Sequence, residues 1–293
     1  MNSAKVIGII YNDKAQRAVD KGKEILDTLM TKHECWIQST SHSGPVNPLI
    51  ARTNLIITVG GDGTILKAAT IAVPHDIPML GVNLGRLGFM TELKADEALT
   101  RIPDYIHGNG WQEERSMIQV SVQRWNGTHY INDGITYNAL NDAVLGRGAV
   151  ARLVHVNAWV DNAHLTSYRA DAVIACTATG STGYNLSAGG PILPPNSEEM
   201  ILKPVAPHVG LATGVVLPKK STIILLVESD DPAILSVDGS LDLDLSKSDQ
   251  VEIKRSSSKA LFLRTGSPEE FYSTLTRRLG FEGEGGAGRA VFH

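Results

Sequence analysis

The chain has 293 residues, of which 42% are hydrophobic, and its formal net charge is −4. This length suits one large domain or two of ordinary size, and the hydrophobic content is enough to build cores without disulfide bonds. A slightly acidic chain has no general attraction to nucleic acid or to an anionic membrane, so we expect neither partner.

The two cysteines, Cys35 and Cys176, lie far apart in the sequence without paired spacing. This argues against a disulfide framework or a thiolate zinc site and fits a reducing compartment. The nine histidines show no metal-ligand spacing, so we expect no metal site built by the protein. No apolar run approaches the roughly 18 residues that a membrane helix needs. We therefore expect a soluble cytoplasmic protein.

The first part of the chain alternates predicted strands and helices. Apolar runs predict the strands, and an apolar stripe at helical spacing predicts the first helix. The order strand–helix–strand predicts a parallel sheet, at which ligands gather by the carboxyl ends of the strands. The predicted elements are a strand at 5–11, a helix at 14–32, a strand at 34–38, a strand at 55–59, a helix at about 64–73 and a strand at 77–82.

The most informative stretch runs from Leu55 to Lys67, LIITVGGDGTILK. Two glycines, Gly60 and Gly61, end the predicted strand and place Asp62 at the mouth of the next helix. Glycines at such a turn let backbone N–H groups approach a ligand, and a helix N-terminus favours anions, so phosphate is the expected ligand. A carboxylate there repels phosphate unless a metal ion or a proton transfer gives it a role, which suggests phosphoryl transfer to a hydroxyl group. The alternative is a tight turn in which Asp62 caps the helix.

From about Ser116 the sequence changes to short alternating or β-branched runs, and helical stripes are almost absent. This predicts a second, mainly antiparallel β domain, so the fold class is a Rossmann-like α/β domain at the N-terminus followed by a β domain. We expect the domains at 1–110 and 111–267, a last helix at 268–280 opened by the capping box Ser267 to Glu270, and a disordered tail at 281–293. The predicted strands are 117–123, 135–145, 153–160, 172–175, 222–228, 234–237, 241–245, 251–254 and 260–264.

A second informative stretch, Asp171 to Pro195, leads from a predicted strand through a Thr/Gly/Ser-rich turn into a short helix at about 181–187. The hydroxyl groups and amides of this turn would form a neutral, donor-rich cradle for a pyrophosphate or ribose, and Tyr184 would stack on a ring or bond to it. Asn141-Asp142, near the end of another predicted strand, adds an amide and a carboxylate suited to sugar hydroxyls. The alternatives are close packing at the turn and a solvated loop pair at Asn141-Asp142. The hydroxyl groups are those of Thr177, Thr179, Ser181 and Thr182.

Four segments together resemble the NAD kinase family. The GGDGT segment is shared with phosphofructokinases and with diacylglycerol and sphingosine kinases, whereas the last segment is far more particular to NAD kinases. The resemblance runs in order across roughly residues 5–275. The segments are Gly60–Thr64 (GGDGT), Asn83–Phe89 (NLGRLGF), Asn141-Asp142 and Thr179–Pro191 (TGSTGYNLSAGGP).

The resemblance implies a two-domain enzyme that phosphorylates the 2′-hydroxyl of the adenosine ribose of NAD to give NADP. ATP or polyphosphate would be the donor, accompanied by Mg²⁺, and Asp62 would be the general base or hydroxyl-orienting group. The active site would lie between the domains, the last helix would return to the first domain, and a homodimer or homotetramer is expected. The phosphate-binding positions would be Gly60, Gly61, Gly63 and Thr64. The positions that match family contacts with the dinucleotide are Asp62, Gly63, Lys67, Asn141, Asp142, Arg152, Arg169, Asp171, Thr179, Thr182, Gly183, Tyr184, Asn185, Leu186 and Ser187.

Two positions depart from the family pattern: Asp142 replaces a usual Glu, and Ser240 stands where a Gln is often found. Both bear on affinity and on the choice of NAD or NADH. Two other functions stay open. A lipid kinase would share the GGDGT turn, but it would need a membrane-docking surface, and neither a basic cluster nor an amphipathic apolar helix stands out. A non-catalytic dinucleotide-binding sensor would hardly need Asp62.

Overall fold

The computed structural model of the protein describes residues 4–44, 47–85, 88–149, 152–272, 275 and 279, without the side chain of Asp133. The chain forms two compact units, one from Met1–Glu113 with Leu261–His293 and the other from Glu114–Ala260. Among the described residues, no helix combines the length and the apolar character needed to cross a membrane. The tail predicted at 281–293 lies outside the described residues.

The first unit is built on a parallel sheet whose central strands are buried along almost every residue. In chain order its elements are β1 (Val6–Tyr11), α1 (Gln16–Leu29), β2 (Glu34–Ser39), β3 (Leu55–Val59), α2 (Asp62–Ala72), β4 (Met79–Asn83), β5 (Leu93–Lys94) and α3 (Ala98–Ile106). The strand order is β2-β1-β3-β4, with β5 also parallel to β4. The predicted α/β fold of this part is confirmed.

The loops that follow the central strands of this sheet lie at one edge. The strands are parallel, so their carboxyl ends meet there. The N–H of Gly60, after β3, donates to Val82 O of β4 at 2.9 Å, and the N–H of Asn12, after β1, donates to Val59 O at 3.0 Å. Both glycine-bearing loops of the sequence therefore belong to the same edge.

The second unit is made of strands, most of them antiparallel. Its elements are β6 (Trp111–Trp125), β7 (Tyr130–Ala139), β8 (Asp142–Arg147), β9 (Val154–Val160), β10 (Ala163–Ala170), β11 (Ala172–Cys176), α4 (Tyr184–Ser187), β12 (Met200–Val205), β13 (Val215–Leu217), β14 (Thr222–Val227), β15 (Ala233–Val237), β16 (Leu241–Leu245) and β17 (Gln250–Arg264). The first residues of β6 and the last of β17 belong to the first unit, where Phe262 pairs with Met79 of β4.

Two groups of strands in the second unit share one apolar core. One group joins β10, β9, β14 and β17, with β6 and β7 added beside β17; the other has the order β13-β12-β11-β8-β15-β16. Alternate residues are buried, as in β15, where Ala233, Leu235 and Val237 are buried and the residues between them are half-buried. This period-2 pattern is typical of strands with one face on a core. The predicted β domain is confirmed.

One predicted strand is wrong. The run 135–145 forms two strands, β7 and β8, which belong to different groups and are separated at Leu140 and Asn141. The apolar alternation continues across the break, so the local sequence pattern hides it. Asn141 thus lies in the break, two residues after the end of β7, and Asp142 is the first residue of β8.

Several boundaries also differ from prediction. The strands predicted at 251–254 and 260–264 form one continuous strand, β17, because the serines between them do not interrupt pairing; Ser256 is buried and donates from its hydroxyl to Asn138 Oδ1 at 2.8 Å. Strands β10, β12 and β13 were not predicted. The helix expected at about 181–187 is a 3₁₀ turn at Gly180–Thr182 and the single turn α4, separated by Gly183.

The start of the last predicted helix is partly described. Of residues 268–280, the structure describes 268–272, 275 and 279, and residues 270–272 are helical. Glu270 Oε1 accepts the N–H of Ser267 at 3.3 Å, which is one half of the predicted capping box.

Candidate active site

The glycine turn after β3 begins α2 at Asp62. Gly60 has φ +155°, and a Cβ there would lie 3.0 Å from Thr64 Cβ, so this position requires glycine. Gly61 is the N-cap residue, and no side chain caps the helix. The prediction that the helix begins near Thr64, with Asp62 as a possible cap, is therefore wrong, because Asp62 is already the first helical residue.

Gly61 and Gly63 differ from Gly60. A Cβ at either position would meet no protein atom within 4 Å, and neither has a left-handed φ. Both residues are exposed at the surface. The fold of this unit would accept a side chain at both positions. Their surface is open to a ligand that approaches the backbone closely.

The carboxylate of Asp62 is held by two backbone amides of the loop that follows β4. Phe89 N–H donates to Oδ2 at 3.0 Å, and Met90 N–H donates to Oδ1 at 3.2 Å. Gly88 permits this approach, because a Cβ there would lie 2.7 Å from Asp62 Cγ. The second glycine-bearing loop therefore orients the carboxylate that the first one carries. Residues 86 and 87 of this loop lie outside the described residues.

Met90 is fixed in turn by Arg264 at the end of β17. Arg264 Nη1 donates to Met90 O at 3.0 Å and lies 3.2 Å from Glu92 Oε2, while its Nε donates to Glu113 Oε2 at 2.8 Å. The Arg264 side chain is 10% exposed, so these are buried charge-assisted bonds, which are stronger than bonds between neutral groups. Sequence reasoning did not find Arg264. It lies 174 positions from Met90, and no local pattern joins the two.

The remaining predicted residues of the first unit lie on α2. Lys67 is exposed, one turn after Thr64, and its Nζ donates to Thr40 O at 3.3 Å. Thr64 is buried. A basic side chain one turn from the helix N-terminus is suitably placed to contact phosphate.

In the second unit, the turn after β11 packs directly on the break between β7 and β8. Thr177 N–H donates to Asn141 O at 2.9 Å, and the Thr177 hydroxyl donates to Leu140 O at 2.6 Å. A Cβ on Gly180 would lie 2.6 Å from the carbonyl carbon of Asn141, so Gly180 allows this close contact. Two segments that sequence reasoning singled out separately, Asn141-Asp142 and Thr177–Ser187, are therefore in contact.

The expected cradle of hydroxyl donors needs correction. The hydroxyls of Thr177, Ser181 and Thr182 each donate to a main-chain carbonyl of this region, with Ser181 bonding to Ala178 O at 2.6 Å and Thr182 to Thr179 O at 3.1 Å. Their hydrogens are used within the unit. Thr179 differs, because its Oγ1 is buried without a hydrogen-bond partner among the described residues. Asn141 Oδ1 shares this property.

Asn185 holds the segment after α4. It is fully buried, and its Nδ2 donates to Ser181 O at 3.0 Å and to Pro191 O at 2.9 Å. A Cβ on Gly190 would lie 2.5 Å from Asn185 Cγ. Two of its neighbours reach the surface, Tyr184 at 44% exposure and Ser187, whereas Gly183 and Leu186 are half-buried. The Tyr184 side chain is thus partly accessible at the surface.

Asp142, which is buried, and Asp238, which is half-buried, form an acidic pair beside this turn. Burial first, and then the charge of Asp238, raise the pKa of Asp142 to about 7. Burial also raises the pKa of Asp238, although three backbone N–H donors act in the opposite direction. Cys176 lies opposite Asp142 on β11, and burial raises the pKa of its thiol. Asp238 was not among the predicted site residues; an Asp-Gly pair after a strand signals a turn, but not this contact.

Three predicted residues lie at the other end of β11. Asp171 precedes this strand and its Oδ1 is 3.0 Å from Arg147 Nη1, whereas the Thr177 turn follows the strand. Five strand residues span roughly 17 Å. Arg169 is exposed and donates from Nε to His155 Nε2 at 3.0 Å, and exposed Arg152 lies 3.9 Å from Asp231 Oδ2. The structure does not bring these three residues together with the Thr177 turn within this unit.

Comparison with known proteins identifies the family. The family model of the ATP-NAD kinase N-terminal domain matches residues 46–109, and that of the ATP-NAD kinase C-terminal domain matches residues 140–265. An NAD kinase of Dehalococcoides mccartyi is 39% identical over 278 residues, covering 94% of this chain and 96% of that protein. An NAD kinase of Chloroflexus aurantiacus is 36% identical over 274 residues, covering 93% of this chain and 98% of that protein.

Two solved structures are also similar. The crystal structure of an NAD kinase from Archaeoglobus fulgidus in complex with ATP has a TM-score of 0.72 and 25% identity, covering 95% of this chain and 100% of that chain. The crystal structure of yeast NADH kinase complexed with NADH has a TM-score of 0.84 and 24% identity, covering 99% of this chain and 91% of that chain. At this identity the two proteins are similar in fold. Together with the two domain matches and the relatives above 30% identity over almost the whole chain, these findings establish that the chain belongs to the NAD kinase family.

Proposed function

We propose that this protein is an NAD kinase that transfers a phosphoryl group to the 2′-hydroxyl of the adenosine ribose of NAD, giving NADP. The observation that carries the proposal is the fixed carboxylate of Asp62, held by the amides of Phe89 and Met90 at the carboxyl edge of the parallel sheet. A general base must be held within hydrogen-bond reach of the proton it accepts, and orientation alone contributes much of phosphoryl-transfer catalysis.

The glycine turn supports a phosphate donor beside this base. Gly61 and Gly63 leave the backbone open at the N-terminus of α2, where anions are favoured. Gly60 and Thr64 shape the turn, and Lys67 adds a positive charge one turn further along. The related NAD kinase from Archaeoglobus fulgidus was solved in complex with ATP, which supports ATP as the donor here; polyphosphate ends in a similar terminal phosphate.

We assign dinucleotide binding to the second unit. Buried Thr179 Oγ1 and Asn141 Oδ1 have no hydrogen-bond partner among the described residues, and an unsatisfied buried polar atom costs about 1–3 kcal/mol. Hydroxyls or amides of a dinucleotide would satisfy both atoms. Exposed Tyr184 would stack on a ring, and Gly183, Leu186 and Ser187 would line the same surface. The likeness to the NADH complex of the yeast kinase supports the ligand class.

Asn185 and Thr182 support this surface through their own bonds to the turn, as described above. Arg152, Arg169 and Asp171 are proposed dinucleotide contacts by family resemblance. Because they lie at the far end of β11, we propose that they contact a part of the ligand away from Thr179.

We further propose that Mg²⁺ enters with the donor. The glycine turn offers one carboxylate, Asp62, and both of its oxygens already accept an N–H. We therefore assign the oxygen ligands of the ion to the donor phosphates and water, which Mg²⁺ prefers. When bound, the ion neutralises charge on the phosphates. A cytoplasmic homodimer or homotetramer is the assembly we infer from family resemblance; light scattering after size exclusion measures it.

The proposal is tested with purified protein, NAD, ATP and Mg²⁺, using a dehydrogenase that accepts only NADP as the readout. Asp62→Asn should abolish NADP formation and leave the Kd for NAD, measured by calorimetry, nearly unchanged. Asp76→Asn is the matched control: Asp76 is an exposed carboxylate at φ +51° just beyond α2, a conformation that Asn also adopts. Near-normal turnover in Asp62→Asn would end the assignment of the base. NAD binding without turnover by the wild type, with polyphosphate and NADH also tried, would indicate a sensor.

A further inference from the structure

The three N–H groups of residues 140–142, where β7 ends and β8 begins, all bind one distant carboxylate, that of Asp238. Its Oδ2 accepts the N–H of Leu140 at 2.8 Å, and its Oδ1 accepts the N–H groups of Asn141 at 2.7 Å and Asp142 at 3.1 Å. The N–H of Asp238 donates in return to Asp142 O at 2.9 Å. These four bonds hold the backbone of residues 140–142 from the β15–β16 side, and Thr177 binds the carbonyl groups of Leu140 and Asn141 from the other side.

Asp238 is itself held in an unusual conformation. It lies in the turn between β15 and β16 with φ +50°, which few non-glycine residues adopt and which Asp tolerates better than most. Val237, the residue before it, pairs with Ala143 of β8, so the turn lies directly beside the break. The carboxylate is thereby directed at three consecutive amides.

The segment that Asp238 holds carries the side chains of Asn141 and Asp142. Asn141 Oδ1 is one of the buried atoms without a partner among the described residues, and Asp142 is 8% exposed. Thr179, which carries another such atom, belongs to the turn that packs on Asn141 O through Thr177. The three side chains therefore depend on one backbone geometry at residues 140–142.

We propose that Asp238 is a positioning residue for dinucleotide binding: its carboxylate fixes the backbone from which Asn141 and Asp142 present their side chains. The inference rests on the proposed function of the second unit. Asp238 acts through Asn141 and Asp142 and does not itself contact the ligand.

If Asp238 positions Asn141 and Asp142, its charge should also affect how dinucleotide binding depends on pH, an effect that a purely structural anchor would not have. Burial and the charge of Asp238 raise the pKa of Asp142 to about 7, so this carboxyl group loses its proton near neutral pH. Cys176 faces Asp142 from β11, and Asp238 faces it from the β15–β16 turn. Further along the same face lie Lys203 of β12, whose Nζ donates to Ala212 O at 2.8 Å, and exposed Asp242 of β16.

Asp142 therefore changes from hydrogen-bond donor to charged acceptor in the range where its proton is lost. Affinity for the dinucleotide should change with pH around that midpoint. Removing the charge of Asp238 should move the midpoint to lower pH, because one of the two causes of the raised pKa disappears.

The second unit offers a matched control in Asp249. This carboxylate, 3% exposed, accepts the N–H groups of Trp125 and Ser246, both at 2.9 Å, and lies 2.8 Å from Arg124 Nη1. It anchors a different turn, the one before β17. Asp249→Asn thus removes another carboxylate that binds backbone amides in the same unit, without touching residues 140–142.

The test measures the Kd for NAD by calorimetry, and KM and kcat by NADP formation, from about pH 5 to about pH 9. Asp238→Asn should raise the Kd and KM for NAD about tenfold or more, because an amide cannot accept all three N–H groups, and should leave kcat within about threefold. Its pH midpoint should fall below that of the wild type. Asp249→Asn should leave both Kd and midpoint unchanged.

A Kd for Asp238→Asn no higher than that of Asp249→Asn, or an unshifted midpoint, would overturn the proposal. If Asp238→Asn does not fold, Asp142→Asn decides: the pH dependence of the Kd should vanish in it, and persistence would overturn the proposal. Wild-type protein that binds NAD but forms no NADP would refute the kinase activity alone. The role of Asp238 would still be tested by comparing the Kd for NAD of Asp238→Asn with that of Asp249→Asn. Wild-type protein that binds no NAD would overturn both.

Discussion

The position of the Asp62 carboxylate can be disturbed without changing Asp62 itself, through Gly88→Ala. The added Cβ would lie 2.7 Å from Asp62 Cγ and 2.8 Å from Oδ2, well inside van der Waals contact. The carboxylate must then move away from the amides of Phe89 and Met90, which now hold it at 3.0 and 3.2 Å. The substitution keeps every chemical group and changes only geometry.

The expected effect on catalysis is large and that on stability small. Misplacement of a catalytic group by about 1 Å costs about 10²-fold in rate, so kcat should fall about a hundredfold. The two lost bonds involve a half-buried carboxylate that water can reach, so we expect the free energy of unfolding to fall by about 1–2 kcal/mol. The Kd for NAD should stay close to that of the wild type.

The assay is kcat for NADP formation at saturating NAD and ATP, together with urea unfolding of each variant. Gly85→Ala is the comparison within the same loop, because a Cβ there meets no protein atom within 4 Å. Its loss of kcat should be far smaller. If Gly88→Ala retained kcat within about threefold of the wild type, the amides of this loop would not be what orients the base.

Three further predictions follow from single contacts. Gly63→Ala adds a Cβ inside α2 that meets no protein atom within 4 Å, so the free energy of unfolding should stay the same or rise by about 0.5–1 kcal/mol. The KM for ATP should increase, because the added Cβ lies where the donor is proposed to approach the backbone. An unchanged KM would mean that no donor approaches Gly63. Arg264→Met removes the buried guanidinium and leaves the carboxylates of Glu92 and Glu113 without their cation. The free energy of unfolding, measured by urea denaturation, should fall by about 3–5 kcal/mol. A loss below about 1 kcal/mol would contradict this prediction. Asp142→Asn removes a carboxyl group whose pKa is raised to about 7 by burial and by the charge of Asp238. The folded state keeps this proton at pH values where the unfolded state has lost it, so the carboxyl group's contribution to stability is full at low pH and is lost as pH rises from about 4 to about 7. The free energy of unfolding of the variant should lack this decline of a few kcal/mol. If the free energy of unfolding of variant and wild type changed in parallel with pH, this prediction would be refuted.

Local sequence patterns predicted much of the fold. In the first unit, apolar runs separated by helical stripes predicted β1, β3 and β4 because strands of a parallel sheet are buried on both faces. In the second unit, short runs of alternating or β-branched residues predicted β15 and β16, because these strands have one face buried on a core. Both signals are carried by neighbouring residues, so one sequence is enough to detect them.

Strand boundaries failed where a distant group decided them. The apolar alternation runs through Leu140, yet the chain leaves one group of strands and enters another there, because Asp238 binds three amides at residues 140–142. The serines near Ser256 suggested a break in β17, but a bond to Asn138 on another strand satisfies Ser256 within the sheet. Neither partner is visible in the local sequence.

The sequence by itself determined the two-part fold, the glycine turn with its carboxylate, and the family, because these depend on residues that are adjacent in the chain. Only the tertiary structure decided how that carboxylate is aimed and which polar atoms are left for a ligand. Asp62 is oriented by amides 27 and 28 positions away, and the 140–142 segment by a carboxylate 96 to 98 positions away. Hydrogen bonds are directional and short in range, so their partners are chosen only when folding brings distant segments within about 3 Å of one another.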